Sequence, residues 1–189
     1  MTLFRTGEPE AEPVTLAGVK AHLRLDHDSE DGLLSGLIRA ARDEVERATG
    51  TALINQTWRL ALDRWPRNGC VLLARHPVRS VLSVTVYGPD GEASLLPPAA
   101  YQFDPLSRPA RIHFDNRPVL LRAMNGIEID FAAGFGEAGT DVPDLLKRAI
   151  LMLATHWYEF RGVLGPEKQP ASYPPGYERL IAGYQARKL

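Results

Sequence analysis

Residues 14–50 read VTLAGVKAHLRLDHDSEDGLLSGLIRAARDEVERATG and predict a short helix, an acidic turn and a long amphipathic helix. Thr15 is a suitable cap for the first helix, and Asp28 or Ser29 for the second. Gly50 is typical of the left-handed residue that ends a helix. Along the second helix, apolar residues recur in steps of three and four, which is the helical period; they are Leu34, Leu37, Ile38, Ala41, Val45 and Ala48. The stretch therefore predicts a packing element with one apolar face.

Length and composition favour a soluble globular protein. The chain has 189 residues, of which 44% are hydrophobic and 24% charged, and its net charge is −1. A charge so close to zero provides no overall attraction for nucleic acid or anionic lipid. Cys70 is the only cysteine, which excludes an internal disulfide and a thiolate metal cluster. The start of the chain lacks the apolar run of a signal peptide, and no apolar run is long enough to cross a bilayer. We expect a soluble protein made inside the cell, with no membrane partner.

The periodicity changes after Gly50 from helical to alternating. Trp58, Leu60 and Leu62 share one face of a predicted strand, and residues 81–87 (VLSVTVY) are rich in the branched residues that favour β-structure. Further short strands separated by Pro- and Gly-containing loops follow. The sequence therefore predicts an antiparallel β domain over residues 56–139.

Helical periodicity returns near Val142, and the run LLKRAILMLATHWYEF at residues 145–160 is apolar nearly all the way round. A helix without a polar face must be surrounded, and the stripe on the second helix needs a partner too. We expect an α+β fold in which residues 14–55 and 140–161 form a discontinuous bundle of two N-terminal helices and one long buried helix. Residues 1–13 are predicted to be a flexible N-terminus. The predicted core comprises Leu37, Ile38, Val45, Trp58, Ile150, Leu153 and Trp157.

The C-terminal arm, residues 162–189, is predicted to be a Pro-rich linker followed by an amphipathic helix. Tyr177, Leu180, Ile181 and Tyr184 recur at i, i+3, i+4 and i+7, the anchor pattern of a helix that lies in a groove. Two alternatives remain open from the residues alone. The four side chains either dock on a partner or fold back onto the bundle of their own chain.

The motifs that suggest chemistry have simpler explanations. Residues 134–139 read GFGEAG, but the predicted helix begins beyond the glycines, where a dinucleotide-binding fold needs it to begin among them. The acidic turn at residues 26–32 lacks the glycine and the final glutamate of a calcium loop. The five histidines have no metal-ligand spacing. We therefore predict no catalytic residue, no metal site and no cofactor. The alternative is a small hydrolase-like enzyme whose site is assembled only by folding.

Six segments, taken in order, carry a family resemblance. They are VKAHLRLD at 19–26, LIRAARDEVERATG at 37–50, QTWRLALDRWP at 56–66, HPVRSVLSVTVYG at 76–88, AAGFG at 132–136 and VPDLLKRAILMLATHWY at 142–158. This order resembles the head–tail connector, or adaptor, proteins of tailed phages, prophages and gene transfer agents, in the longer form that carries a β insertion. The resemblance covers residues 14–161.

The resemblance implies a structural role and named partners. Such proteins form a closed ring, of about twelve copies by family analogy, beneath the portal protein of a filled capsid. They join the portal to the stopper or tail-completion protein and leave a channel through which DNA passes without sequence-specific binding. The protein would thus be made in the bacterial cytoplasm and reside at the head–tail junction. In that setting Tyr177, Leu180, Ile181 and Tyr184 are the candidate residues for docking to the portal.

Overall fold

The computed structural model describes residues 1–118, 122–160 and 173–185 and has an α+β fold, as the sequence predicts. The chain divides into two compact units, and each unit is discontinuous in sequence. The β unit comprises Met1–Pro9 and Asn55–Phe135. The helical unit comprises Glu10–Ile54 and Gly136–Leu189.

The helical unit is built from helices α1 (Leu16–Leu23), α2 (Asp31–Thr49), α3 (Asp144–Phe160) and α4 (Tyr177–Ile181). The Thr15 hydroxyl accepts a hydrogen bond from the Gly18 amide at 3.1 Å and caps α1. Gly50 ends α2 with φ of 71°, a left-handed conformation that suits glycine. Glu30, and not Asp28 or Ser29, occupies the N-cap position of α2. The side chains of Asp28 and Ser29 are bound instead to Lys20 and His27.

The core of the helical unit lies between α2 and α3, which are in extensive contact. From the predicted core, Ile38, Val45, Ile150 and Leu153 are all at most 2% exposed. Leu37 differs from the expectation, because it lies at the edge of the α2 stripe and is only half-buried.

Trp157 also differs from the expectation of a core residue, since it is only half-buried. Its position in α3 explains the difference. The hydroxyl of the neighbouring Tyr158 donates a hydrogen bond to the Glu30 carboxylate at the start of α2. The last turn of α3 therefore lies level with the start of α2, at one end of the helix pair.

The β unit contains two antiparallel sheets. The five-stranded sheet has the order β1-β2-β8-β4-β5, and the three-stranded sheet has the order β3-β7-β6. The strand bounds are β1 Thr2–Gly7, β2 Gln56–Leu62, β3 Cys70–Leu73, β4 Val78–Tyr87, β5 Ala93–Leu95, β6 Tyr101–Asp104, β7 Ala110–Phe114 and β8 Ile127–Ala133. Leu60, Ile129 and Val84 lie in one row across the larger sheet and are completely buried. Trp58, from the predicted core, is 7% exposed.

The flexible N-terminus expected for residues 1–13 is not what the structure shows, because Thr2–Gly7 form β1 at the edge of the five-stranded sheet. The strand pairs with β2, with Leu3 opposite Leu60 and Phe4 opposite Arg59. Its side chains alternate between exposed and half-buried. Six residues of weak alternation beside a Glu- and Pro-rich stretch give little sequence signal, whereas backbone pairing to β2 is a strong tertiary constraint.

Candidate assembly surfaces

The G-x-G-x-x-G stretch is explained by close packing. A Cβ atom at Gly139 would lie 2.7 Å from the Pro13 carbonyl oxygen, and one at Gly136 would lie 2.1 Å from an Asp141 carboxylate oxygen. That Asp141 oxygen accepts a hydrogen bond from the Ala138 amide at 3.0 Å. Since α3 begins only at Asp144, these glycines allow backbone segments to approach and do not form a phosphate-binding helix start.

The acidic turn between α1 and α2 has a structural role, because its carboxylates form ion pairs with Lys20. The Lys20 ammonium donates hydrogen bonds to the carboxylates of Asp28 and Asp31, the latter at 2.9 Å. The bond to Asp28, and next the bond to Asp31, raise the pKa of Lys20. Two acids of the turn are thus used to tie α1 to the start of α2. Within the described residues, no group of three or more His, Cys, Asp and Glu side chains could hold a metal ion.

The described part of the C-terminal arm, residues 173–185, packs on the helical unit. Helix α4 contacts both α3 and α2, and Tyr177 and Ile181 are 2% and 1% exposed. Leu180 and Tyr184 are half-buried. The four residues predicted for portal docking are therefore not one free face, because two of them form part of the core. Of the predicted Pro-rich linker, residues 162–172 lie outside the described residues.

Hydrogen bonds join Tyr173, four residues before α4, to α2. The Tyr173 hydroxyl donates to the Glu44 carboxylate at 2.6 Å, and Arg47 donates to the same carboxylate at 2.7 and 2.8 Å. Burial of Glu44 would raise its pKa, but the hydrogen bonds from Arg47 and Tyr173 outweigh burial and lower it. The Tyr173 ring stacks on Tyr177 with the ring centroids 5.1 Å apart. Burial raises the pKa of the Tyr177 hydroxyl.

One face of the five-stranded sheet, opposite the buried row of Leu60, Ile129 and Val84, carries a ladder of paired charges. Arg59 binds both carboxylate oxygens of Asp130, at 2.7 and 2.8 Å, and Ser83 donates to Asp130 at 3.0 Å. Glu128 accepts a hydrogen bond from Tyr87 at 2.9 Å and lies 3.1 Å from Arg59. The hydrogen bonds from Arg59 are the main reason why the pKa of Asp130 is lowered. The ladder strengthens cross-strand pairing and leaves little net charge on this face.

An open groove of about 670 Å³ lies on the helical unit. Residues 11–15 and 137–140 line two of its walls, and the third is a face of α3 that includes Lys147, Arg148 and Leu151. Lys147 is paired with Asp144 at 2.8 Å, and that aspartate is 96% exposed. Arg148 has no side-chain hydrogen bond or ion pair within the described residues.

The loop between β6 and β7 presents a leucine on an ordered backbone. Leu106 is 91% exposed, more than any other large apolar side chain among the described residues. One Asp104 carboxylate oxygen accepts the amides of Leu106 and Ser107 at 3.0 and 3.3 Å, and the other binds Arg111 at 3.0 Å. The Ser107 hydroxyl donates to the Pro109 carbonyl at 2.9 Å. Sequence reasoning did not single out this loop, although its sequence, DPLSRP, contains the Asp, Ser and Pro residues typical of fixed turns.

The features with defined geometry are thus contact surfaces: a groove, a fixed loop with an exposed leucine, and an arm docked on its own unit. No helix in the described parts of the chain is both long and apolar enough to span a membrane.

Comparisons with known proteins identify the class more closely. Residues 13–86 match the family model of the phage gp6-like head–tail connector proteins. A solved chain from the neck of an empty gene transfer agent particle, computed with C6 symmetry, is 28% identical, with a TM-score of 0.85. A chain from the virion of a native gene transfer agent particle is 26% identical, with a TM-score of 0.84. A chain from the neck of a native particle, computed with C12 symmetry, is 26% identical, with a TM-score of 0.81.

Each of these solved chains is matched over 97% of its length and over 100% of the present chain. No curated protein matches the sequence. The resemblance inferred from the sequence is confirmed by the family model and by the solved structures. Residues 13–86 match the head–tail connector family, and the whole chain is similar to gene transfer agent neck chains, which supports a structural connector. The matched family and the solved neighbours are structural neck proteins of phage-like particles and not enzymes, so the hydrolase-like alternative has no support.

Proposed function

We propose that this chain forms a ring at the head–tail junction of a phage-like particle, where it joins the portal protein to the stopper or tail-completion protein. The observation that carries the proposal is the match of the whole chain to a chain from a gene transfer agent neck. The neck structures were computed with C6 and C12 symmetry, which supports a ring of about twelve copies. The protein would be made in the bacterial cytoplasm and incorporated into the particle there.

The charge distribution suits a protein that surrounds a DNA channel. The net charge of the chain is −1, and the ladder on the β unit pairs its basic groups with acidic groups. Strong binding to the phosphate backbone needs an excess of basic groups to neutralise phosphates. We infer that DNA passes through the ring without sequence-specific binding and without being retained by the protein.

Contact between the arm and the portal is proposed in a revised form. Tyr177 and Ile181 hold α4 on the helical unit, since both are buried there. Leu180 and Tyr184 keep part of their surface accessible. We propose that these two side chains contact the portal while the arm remains docked on its own helical unit.

Deletion of the gene in a particle-producing strain tests the proposed role. Loss of a connector should yield DNA-filled heads without tails, and expression of the intact chain should restore tailed particles. Cryo-electron microscopy of the restored particles should show the chain as a ring between portal and tail. Normal tailed particles from the deletion strain would refute the proposal.

The contact with the portal needs a separate test that preserves the fold. Leu180→Asp should reduce attachment to portal-bearing heads at least tenfold, while the melting temperature changes by only a few degrees because Leu180 is half-buried. Arg179→Asp is the matched control, since Arg179 is the exposed neighbour in the same helix. If the Leu180→Asp and Arg179→Asp variants both attach as well as the wild type, α4 is excluded as a portal contact.

A further inference from the structure

The β6–β7 loop has the properties of a rigid docking element. Two amides bind one Asp104 oxygen, and the Ser107 hydroxyl binds the Pro109 carbonyl, so the loop around Leu106 is already ordered. Ordering a loop on binding costs conformational entropy, and a loop that is fixed beforehand avoids that cost. Leu106 is 91% exposed on this loop, and transfer of its apolar surface from water into an apolar cavity is favourable.

The groove on the helical unit has the complementary properties. Pro13, Ala138 and Leu151 supply apolar surface in a space of about 670 Å³, which is ample for a leucine and the proline beside it. The lining contains three carboxylates, Glu12, Glu137 and Asp144, and two basic groups, Lys147 and Arg148. These five groups sum to −1, and Glu12 is also paired at 3.4 Å with Arg42 outside the lining. The loop, with Asp104, Arg108 and Arg111, has a net charge of +1.

We propose that the Leu106 loop of one copy inserts into this groove on the next copy and forms the seam of the ring. Leu106 fills the apolar part of the groove, and Arg108, which has no ion pair within the described residues, lies near the exposed Asp144 carboxylate. Two different patches of one chain meet in this contact. Such a heterologous contact builds a ring when the rotation between neighbouring copies closes, whereas a self-complementary patch produces only a dimer. The inference rests on the proposed ring function and names the surfaces that build the ring.

Cross-linking between two alleles tests the seam in assembled particles. Both chains carry Cys70→Ser, and one also carries Leu106→Cys while the other carries Ala138→Cys. Because each chain then has one cysteine, any disulfide must join two copies. With the two alleles expressed equally, oxidation of purified particles should convert up to about half of the chains to dimers, because each Leu106→Cys copy meets an Ala138→Cys copy at about every second seam. Leu95→Cys with Ala138→Cys is the matched control, since Leu95 is also an exposed leucine of the β unit, at 68%.

Charge exchange provides a second readout. Arg108→Glu should lower incorporation into particles at least tenfold, and Asp144→Arg in the same chain should restore it. Leu106→Asp should likewise abolish incorporation with an unchanged melting temperature, whereas Leu95→Asp should not. Rings that are visible in the neck but show no cross-link above the Leu95 control would overturn the seam and leave the ring function standing. Absence of the wild-type chain from the neck would overturn both.

Discussion

Replacement of Ile181 by Ala measures how strongly the arm is bound to its own helical unit. The side chain is 1% exposed and belongs to a short helix that contacts both α2 and α3. Ala lacks three of its carbon atoms, which at about 0.8 kcal/mol per buried methylene corresponds to about 2.4 kcal/mol. The cavity that remains raises the expected loss in the free energy of unfolding to about 2–4 kcal/mol.

This loss has an upper limit that the structure itself sets. Since α4 spans only Tyr177–Ile181, the arm can leave its site while the rest of the unit stays folded. The loss cannot then exceed the free energy of docking the arm, so deletion of residues 173–189 defines the maximum. Urea denaturation of the wild type, Ile181→Ala and the deletion variant gives both quantities.

Leu180→Ala is the matched control, because Leu180 adjoins Ile181 but is only half-buried. It should lower the free energy of unfolding by less than about 1 kcal/mol. If Ile181→Ala and the deletion both unfold at the wild-type urea concentration, the burial of the arm contributes no stability, and the reasoning is refuted.

Three further predictions concern the two units and the isolated chain. Trp157→Ala should lower the free energy of unfolding by less than the roughly 3–5 kcal/mol typical of a buried tryptophan, because Trp157 is only half-buried. Leu153→Ala, at a fully buried site, should lower it by about 2–5 kcal/mol. A loss at Trp157 that exceeds the loss at Leu153 in urea denaturation would contradict the partial exposure of Trp157. Because Arg59 lowers the pKa of Asp130 in the folded state, the stabilisation is complete above the unfolded pKa of about 4 and is lost as the pH falls from there through the lower folded-state pKa. The melting temperatures of wild type and Asp130→Asn should therefore differ at about pH 7 and converge toward about pH 2, and a constant difference would exclude this linkage. Light scattering should find the isolated chain monomeric at micromolar concentration, since one leucine and one ion pair per seam are too few to hold a permanent oligomer; a stable ring in free solution would contradict this.

The helical part of the fold could be read from local sequence because its signals are local. The Thr15 cap and the Gly50 end of α2 depend on residues within one helical turn, and both are as predicted. The cap of α2 was predicted wrongly, because Lys20 competes for Asp28 from another helix. Such competition depends on three-dimensional proximity, which a window of neighbouring residues does not contain.

The surfaces were harder to predict than the fold, for the same reason. The spacing of Tyr177 and Ile181 showed that α4 has an apolar face, but it could not show which groove that face occupies. The contacts of α4 with α2 and the Tyr173–Glu44 hydrogen bond determine which groove α4 occupies. That hydrogen bond joins residues 129 positions apart. The order of Leu106 likewise depends on three hydrogen bonds within a loop whose composition predicts only a turn.

The discontinuity of both units has a consequence for synthesis on the ribosome. Helix α2 is translated early, but α3, which covers its apolar stripe, begins about 95 residues later. At translation rates of about 5–20 residues per second, the nascent α2 waits roughly 5–20 seconds for its partner. Strand β1 waits in the same way for β2. The β unit can be completed on the nascent chain before the helical unit, so α2 is the segment that most needs a chaperone while the insertion is being made.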